Sequence, residues 1–269
     1  MSDLARLDAH LAGLGRVLLG YSGGVDSALL AVAARRALGP GRFLAVIGRS
    51  ASYPAVQHDG ALALAARFDI PVLEVETREL DDPRYLANPT DRCFFCKQEL
   101  WGVLGRVARE RRFDAVIDGT NADDVLEHRP GMRAAAEGGV RSPLAELGWT
   151  KADVRAAAAA LDIPTWDAPA SPCLSSRVAY GLAITTERLR QVEEGEAFLR
   201  GLGVTGDLRV RHHGERARIE ARPDQFSRLE AAWGAVTARF AALGFATVEL
   251  DPRGYRRGAL LTVLEGAGG

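Results

Sequence analysis

The sequence predicts an α/β fold, a mostly parallel, doubly wound sheet followed by a smaller α+β domain. Three observations predict it. Short apolar runs alternate with helical stretches through the first half of the chain; a glycine-rich segment joins the first run to the first helix; and beyond Thr186 the composition turns to a polar helix and alternating strands. At 269 residues, 47% of them hydrophobic, the chain can bury a substantial core and exceeds the usual length of one compact domain, so two domains are drawn, 1–180 and 181–269.

Arg16 to Gly20 (RVLLG) reads as the first strand, and Asp26 to Leu38, rich in Ala and Leu, as the first helix. Arg42 to Gly48 is the second strand, with a helix near Ala55 to Phe68. Pro71 to Val75 is the third, with a helix near Lys97 to Arg111, and Asp114 to Ile117 is the fourth. This alternation suits a parallel sheet with helices on both faces, its ligand site at the carboxyl ends of the strands. Thr150, with Asp153 in the capping-box position, starts a helix through Leu161, and Pro164, Pro169 and Pro172 then end regular structure. The second domain reads as a helix from Thr186 to Arg200, strands at Leu208 to His212 and Ala217 to Ala221, and a helix opened by Pro223. Strands near Thr247 to Leu250 and Ala259 to Val263 follow, before a frayed Gly-Ala-Gly-Gly terminus.

The 34 Lys and Arg nearly cancel the 35 Asp and Glu. The chain as a whole therefore carries no electrostatic footprint for nucleic acid or an anionic membrane, and any anion site is local. No basic region leads into an apolar stretch at the start, and nothing approaches the roughly 20 apolar residues of a membrane span. The expectation is a cytoplasmic protein with no nucleic-acid or membrane partner. Three cysteines, an odd number in a chain too long to need disulfide staples, point to ligation or catalysis.

Gly20-Tyr21-Ser22-Gly23-Gly24-Val25-Asp26-Ser27 lies between the first strand and the first helix. Adjacent glycines let the backbone turn with its amides outward, Ser22 and Ser27 add hydroxyls, and the helix start adds a positive dipole end, which together make an anion cradle. Asp26 there either caps the helix or holds a Mg²⁺ ion that bridges phosphate oxygens. The lysine of a Walker loop is missing. The segment instead resembles the PP-loop, the S-G-G-x-D-S signature of N-type ATP pyrophosphatases, which adenylate a carbonyl or carboxyl oxygen and release pyrophosphate. The resemblance implies ATP and Mg²⁺, with Ser22, Gly23, Gly24, Asp26 and Ser27 at the phosphates and adenine near Ile47, Gly48 and Arg49. It also implies a second nucleotide-facing loop, Asp118 to Asp124, that includes Gly119, Thr120 and Asn121.

Cys93-Phe94-Phe95-Cys96 follows Asn88-Pro89-Thr90, and Cys173 sits in Ser171-Pro172-Cys173-Leu174-Ser175-Ser176-Arg177. A C-x-x-C turn can place two thiolates on one ion or cluster, and Pro172 keeps Cys173 out of a helix. Alone, the pair also reads as a zinc half-site or a redox couple, and Cys173 as inert. Three cysteines with an open fourth position suit a [4Fe-4S] cluster that has one iron free for a sulfide or substrate atom. In the second domain, alternation puts Arg209 and Arg211 on one face of a strand, spaced either to grip one phosphate or simply to line a solvated surface. His212 and His213 point to opposite faces and read as surface or supporting groups rather than ligands, and Trp101, Trp149 and Trp166 as packing residues.

The glycine loop, Asn88 to Lys97, the D-G-T-N-A-D-D loop, Arg129-Pro130-Gly131 and the P-C-L-S-S-R segment are together similar to LarE, a family of sulfur transferases that build the nickel-pincer nucleotide cofactor. The likeness covers most of the chain. It implies adenylation of a carboxylate of pyridinium-3,5-biscarboxylic acid mononucleotide and its conversion to a thiocarboxylate, with a sulfur donor as partner and a homo-oligomeric assembly. It implies substrate contacts from Arg129, Ser176, Arg177, Arg209, Arg211 and Glu220. Some members give up the sulfur of one cysteine, at the position of Cys173. With Cys93 and Cys96 added, the chain resembles the members in which three cysteines hold a [4Fe-4S] cluster carrying an extra sulfide. The expectation is cluster ligation by Cys93, Cys96 and Cys173, with direct donation by Cys173 as the alternative. A tRNA thiolase of the same superfamily would need a basic surface that the balanced charge does not provide, and an amide-forming synthetase of the NAD synthetase type would need no cysteine trio. A nucleotide-sensing regulator would bind ATP without turnover.

Overall fold

A computed structural model describes residues 3–126, 130–169 and 171–256. Its contacts divide the chain into two units, Met1–Tyr85 with Asp91–Ser171, and Leu86–Thr90 with Pro172–Gly269. The break at 171/172 falls earlier than the 180/181 drawn from composition. Cys173 already opens a 3-10 helix (Leu174–Arg177), and Val178 bridges to His212 in the strand β5 defined below, so this stretch belongs with the second unit.

In the first unit the chain runs α1 (Asp3–Ala12), β1 (Val17–Gly20), α2 (Val25–Leu38), β2 (Phe43–Arg49), α3 (Ala55–Arg67) and β3 (Val72–Glu76). A 3-10 turn (Glu79–Asp81) and a short α4 (Pro83–Leu86) lead to α5 (Arg92–Glu110) and β4 (Ala115–Ile117). Helices α6 (Ala122–Leu126), α7 (Pro130–Glu137), α8 (Pro143–Glu146) and α9 (Lys151–Ala160) complete it. The strand order is β3-β2-β1-β4, and every pair is parallel. The apolar runs of β1 and β2 are continuous rather than alternating because both faces are buried, whereas the edge strand β3 is only partly buried. Val17 and Leu19 of β1 and Phe43, Ala45 and Ile47 of β2 pack in one cluster with Leu29, Leu30 and Ala158, whereas Leu18, Leu44 and Val46 pack in another with Phe94, Trp101 and Leu104. Helices α3, α5 and α9 end alike: Asp69, Arg112 and Asp162 take positive φ just past the helix, and the amide after each returns to a carbonyl five residues back, which closes the last turn.

Helix α5 starts at Arg92, five residues before the expected Lys97. Cys-Phe-Phe-Cys has weak helix propensity, but Phe94 and Trp101, seven residues apart, lie on one helical face and are both buried against the sheet. Packing decides the state. Trp101 and Trp149 are core residues, as read from sequence, while Trp166 is 45% exposed and lies outside the core.

The second unit holds α10 (Thr186–Gly201), β5 (Leu208–His213), β6 (Arg216–Ala221), α11 (Phe226–Ala231), α12 (Trp233–Ala242) and β7 (Thr247–Leu250). Strands β5 and β6 form an antiparallel hairpin that turns at Gly214, and β7 joins β6 in parallel. Val210, Ala217 and Ile219 face Leu199, Val236 and Phe240 in its core. Pro223 opens a 3-10 turn ahead of α11 rather than the helix itself. The strand expected near 259–263 and the expected frayed terminus lie outside the described residues. Among the described residues no helix is long and apolar enough to cross a membrane.

Asn88 ties the 86–90 segment to this unit. It is fully buried at positive φ, and its Nδ2 donates to Ala179 O at 2.8 Å and Leu182 O at 2.9 Å, while Gly181 N donates to Asn88 O at 3.0 Å. Removing the amide leaves two partly buried carbonyls without this donor. Asn88→Ala should lower unfolding stability in urea by about 2–4 kcal/mol, and Asn88→Gly, which suits the φ but lacks the donor, should not restore it.

Candidate functional site

Strand β1 delivers the glycine loop to the carboxyl edge of the sheet. Gly23 has φ +71, and a Cβ there would lie 2.7 Å from that of Ala61, so both the turn and its packing require glycine. The Ser22 carbonyl accepts from Tyr53 Oη at 3.0 Å and from Gln57 Nε2 at 2.8 Å, which fixes the peptide that opens the loop. Tyr21, the residue before, is buried and donates to Ala61 O, and burial raises its phenol above the ordinary range. Gly24 caps α2 without a side-chain oxygen, which leaves the helix start to an external acceptor. Ser27 turns inward, donating to Gly24 O at 3.0 Å and accepting from Ser22 N at 3.3 Å, so its hydroxyl shapes the loop rather than projecting from it.

Two loops meet at the switch in strand order, where β1 has β2 on one side and β4 on the other. A Cβ on Gly119 would lie 2.9 Å from Ser27 N, so the loop after β4 touches the first turn of α2 and only glycine permits it. Asn121, almost fully buried, donates to Asp26 Oδ1 at 3.0 Å and accepts from the amides of Asp123 and Asp124. Its side chain therefore braces Asp26. Thr120 Oγ1 donates to Asp118, which Ser142 also holds. Lys151, the first residue of α9, places Nζ 2.5 Å from Asp26 Oδ2, while its own amide donates to Asp123. Sequence reasoning marked the Thr150–Asp153 capping box but not the lysine it presents, because nothing local shows that α9 starts beside the glycine loop. Gly48 answers to packing: a Cβ there would lie 2.6 Å from Leu100.

Cys93 and Cys96 occupy the first turn of α5, three residues apart on one helical face, rather than a loop turn. Cys173 belongs to the second unit, and within neither unit do three or more described His, Cys, Asp or Glu side chains gather around one metal position. Cys173 is the N-cap of its 3-10 helix, and its carbonyl accepts from Ser176 N, Ser176 Oγ and Arg177 Nη1 at 2.7–3.0 Å. The thiol thus sits on rigid backbone.

Around it the second unit buries charge. Arg177 grips Glu196 through two hydrogen bonds of 3.0 and 3.1 Å, and Arg211 pairs with Glu220 at 2.8 Å while donating to Ser176 O at 2.9 Å. Glu220 lies opposite Arg209 in the ladder but bonds diagonally to Arg211. Arg209 and Arg211 are 5% and 6% exposed, so the reading as a solvated strand face is excluded. Burial, with Arg177 adding its own charge, depresses the Arg209 guanidinium. Arg129, also expected at the site, lies outside the described residues.

His212 is buried and is not a surface group. Gly214 N donates to its Nδ1, so the ring proton sits on Nε2 and points to Gln191 Oε1 at 2.8 Å. A second proton would meet an N–H, and burial lowers both His212 and His213 from 6.5 to about 4.

The sequence pattern of the family described as NAD synthase matches residues 5–84, the stretch that holds the glycine loop. A pyridinium-3,5-bisthiocarboxylic acid mononucleotide synthase of Lactiplantibacillus plantarum is 34% identical over 256 residues, covering 95% of this chain and 92% of that protein. An uncharacterised protein of Synechocystis is 42% identical over 98% of both chains, and one of Methanocaldococcus jannaschii is 30% identical over 90% of this chain and 91% of its own.

The histidines make stability depend on pH. Folded His212 and His213 stay neutral down to about pH 4, whereas the unfolded chain takes these protons near 6.5. The unfolded state therefore binds more protons between those values, and stability should fall as the pH drops through that window. Urea midpoints at pH 7, 5.5 and 4.5 should decline, and His212→Phe should flatten part of the slope.

Proposed function

The chain belongs to the LarE-type pyridinium-3,5-bisthiocarboxylic acid mononucleotide synthases, enzymes of the PP-loop ATP pyrophosphatase group, and from that premise we propose that it uses ATP to insert sulfur into a carboxylate of a pyridinium mononucleotide. One observation carries the reading: the glycine loop, its uncapped helix and the Asp26–Lys151 pair meet the loop after β4 at the switch in strand order. Parallel sheets bind nucleotides at that crevice.

In this reading the loop amides and the start of α2 take the triphosphate, Lys151 adds an ammonium to it, and Asp26 is the residue that would hold Mg²⁺. The residues present fit the ion: Asn121 fixes one oxygen of the Asp26 carboxylate at a helix start beside an anion cradle, and Mg²⁺ would take the other oxygen in place of the Lys151 ammonium, which would then serve the phosphates. A substrate carboxylate oxygen bonds to the α-phosphorus as the bond to the bridging oxygen breaks, and pyrophosphate leaves. A sulfur nucleophile then attacks the acyl carbon and AMP departs, which leaves a thiocarboxylate. Holding the reactants together supplies much of the acceleration. Ser176, Arg177, Arg209, Arg211 and Glu220 are the proposed hold on the substrate's phosphate and ribose, a role that suits guanidiniums gathered on one buried patch.

Cys93 and Cys96, on one helical face, suit two ligands of a [4Fe-4S] cluster, with Cys173 proposed as the third. Such a cluster would supply a bound sulfide for transfer; in the alternative route, the thiol of Cys173 is itself the donor. The match to the NAD synthase family ends at residue 84, ahead of every cysteine, so it bears on nucleotide binding and not on the acceptor.

With ATP and the bis-carboxylate mononucleotide, the enzyme should release AMP and pyrophosphate; ADP and phosphate would sink the reading. Lys151→Met should weaken Mg-ATP binding about tenfold or more and leave unfolding stability within about 1 kcal/mol, since the pair with Asp26 is partly exposed. Anaerobically reconstituted protein should hold about four iron and four sulfide per chain and lose them in Cys173→Ala. Metal-free protein that loses the mass of one sulfur at Cys173 during turnover would establish the sacrificial route.

A further inference from the structure

Glu79 opens the 3-10 turn after β3 and is 3% exposed. Its Oε1 accepts from Ser50 Oγ and, at 2.8 Å, from Ser52 Oγ, and Ser50 and Ser52 also bond to each other at 2.8 Å. Its Oε2 is buried and has no hydrogen-bond partner. Leaving a carboxylate oxygen unsatisfied in the interior is costly, more so for a charged group than for a neutral one. The two serines hold the side chain in place without filling that oxygen, which is the arrangement of an anchored acceptor that lacks its donor.

Its place in the fold says what the donor belongs to. With strand order β3-β2-β1-β4, the loop after β2 lies between the glycine loop and the turn that carries Glu79. That middle loop touches both: Ser50 and Ser52 hold Glu79, and Tyr53 holds the Ser22 carbonyl of the glycine loop. Neighbouring strands lie about 4.8 Å apart, so Glu79 is on the order of 10 Å across the carboxyl edge from the phosphate cradle. That is the reach from the phosphates of a bound nucleotide to its nucleoside. A carboxylate oxygen accepts only, so the missing group is an O–H or N–H donor.

We infer that Glu79 binds the nucleoside of ATP through Oε2, accepting a hydrogen bond from a ribose hydroxyl or from the exocyclic amine of adenine, with Ser50 and Ser52 as the residues that position it. The inference rests on the proposed ATP-dependent function and adds to it a residue that selects which nucleotide is used.

Titration calorimetry on the full chain tests it with Mg²⁺ complexes of ATP, 2′-deoxy-ATP, 3′-deoxy-ATP and purine riboside triphosphate. Wild type should bind one analogue about tenfold or more weakly than ATP. Glu79→Ala should bind ATP as weakly as wild type binds that analogue, with no further loss for the analogue itself. A deficit with a deoxy analogue assigns the hydroxyl, and one with purine riboside triphosphate assigns the amine. Glu79→Gln keeps the shape of the side chain while offering an N–H where Oε2 accepts, and serves if Glu79→Ala does not fold; the same loss toward ATP is expected. Wild type that binds all four nucleotides alike, or discrimination that survives in the variants, overturns the assignment and leaves the ATP reading intact. Wild type that binds no ATP overturns that reading and this inference with it.

Discussion

The loops leaving β1 and β4 touch, backbone against backbone, where Gly119 meets the amide of Ser27. No side chain larger than a hydrogen atom fits there. Because the loops touch, Asn121 reaches Asp26, the amide of Lys151 reaches Asp123, and the ammonium of Lys151 reaches the carboxylate at the start of α2. Three stretches far apart in sequence thus converge on one helix terminus. The contact works only because all four strands are parallel, which sends every one of these loops to the same edge.

The second unit depends on a different constraint. Its core is apolar on one face of the sheet, while the other face buries Arg209, Arg211 and Glu220, with Arg177 and Glu196 beside them. Buried ion pairs of this kind rarely add net stability, because desolvation consumes most of the Coulomb gain, and breaking one costs about 3–5 kcal/mol. A fold seeking stability alone would place apolar residues there. What the sheet holds there instead is a set of guanidiniums fixed by Glu196 and Glu220 on rigid strands and the adjoining helix. His212 and His213 show the same economy of solvent, since burial holds both neutral.

Legibility in the sequence followed the range of the forces involved. The four strands of the first sheet read to within a residue, because β1 and β2, buried on both faces, are continuous apolar runs and the partly buried edge strands β3 and β4 still carry short ones. The glycine loop was legible because a positive φ and an uncapped helix start leave a local signature. The start of α5 was not, since Phe94 and Trp101 form a helical face only once the sheet is there to receive them. Glu79, Lys151 and Glu196 went unnoticed for the same reason: each lies in an ordinary stretch and gains its meaning from a partner 19 to 125 positions away in the chain.

By itself, then, the sequence determined the α/β class, the glycine loop, the cysteine spacing and the pairing of Arg209 with Arg211 on one strand face, all of which rest on periodicity, turn chemistry or spacing within a few residues. Only the tertiary structure decided that those arginines are buried and paired, that Cys93 and Cys96 share a helical turn, and that Asn121 braces Asp26 rather than facing outward. Burial and long-range hydrogen bonding are properties of what packs against a residue, and no local pattern of neighbours in the chain encodes them.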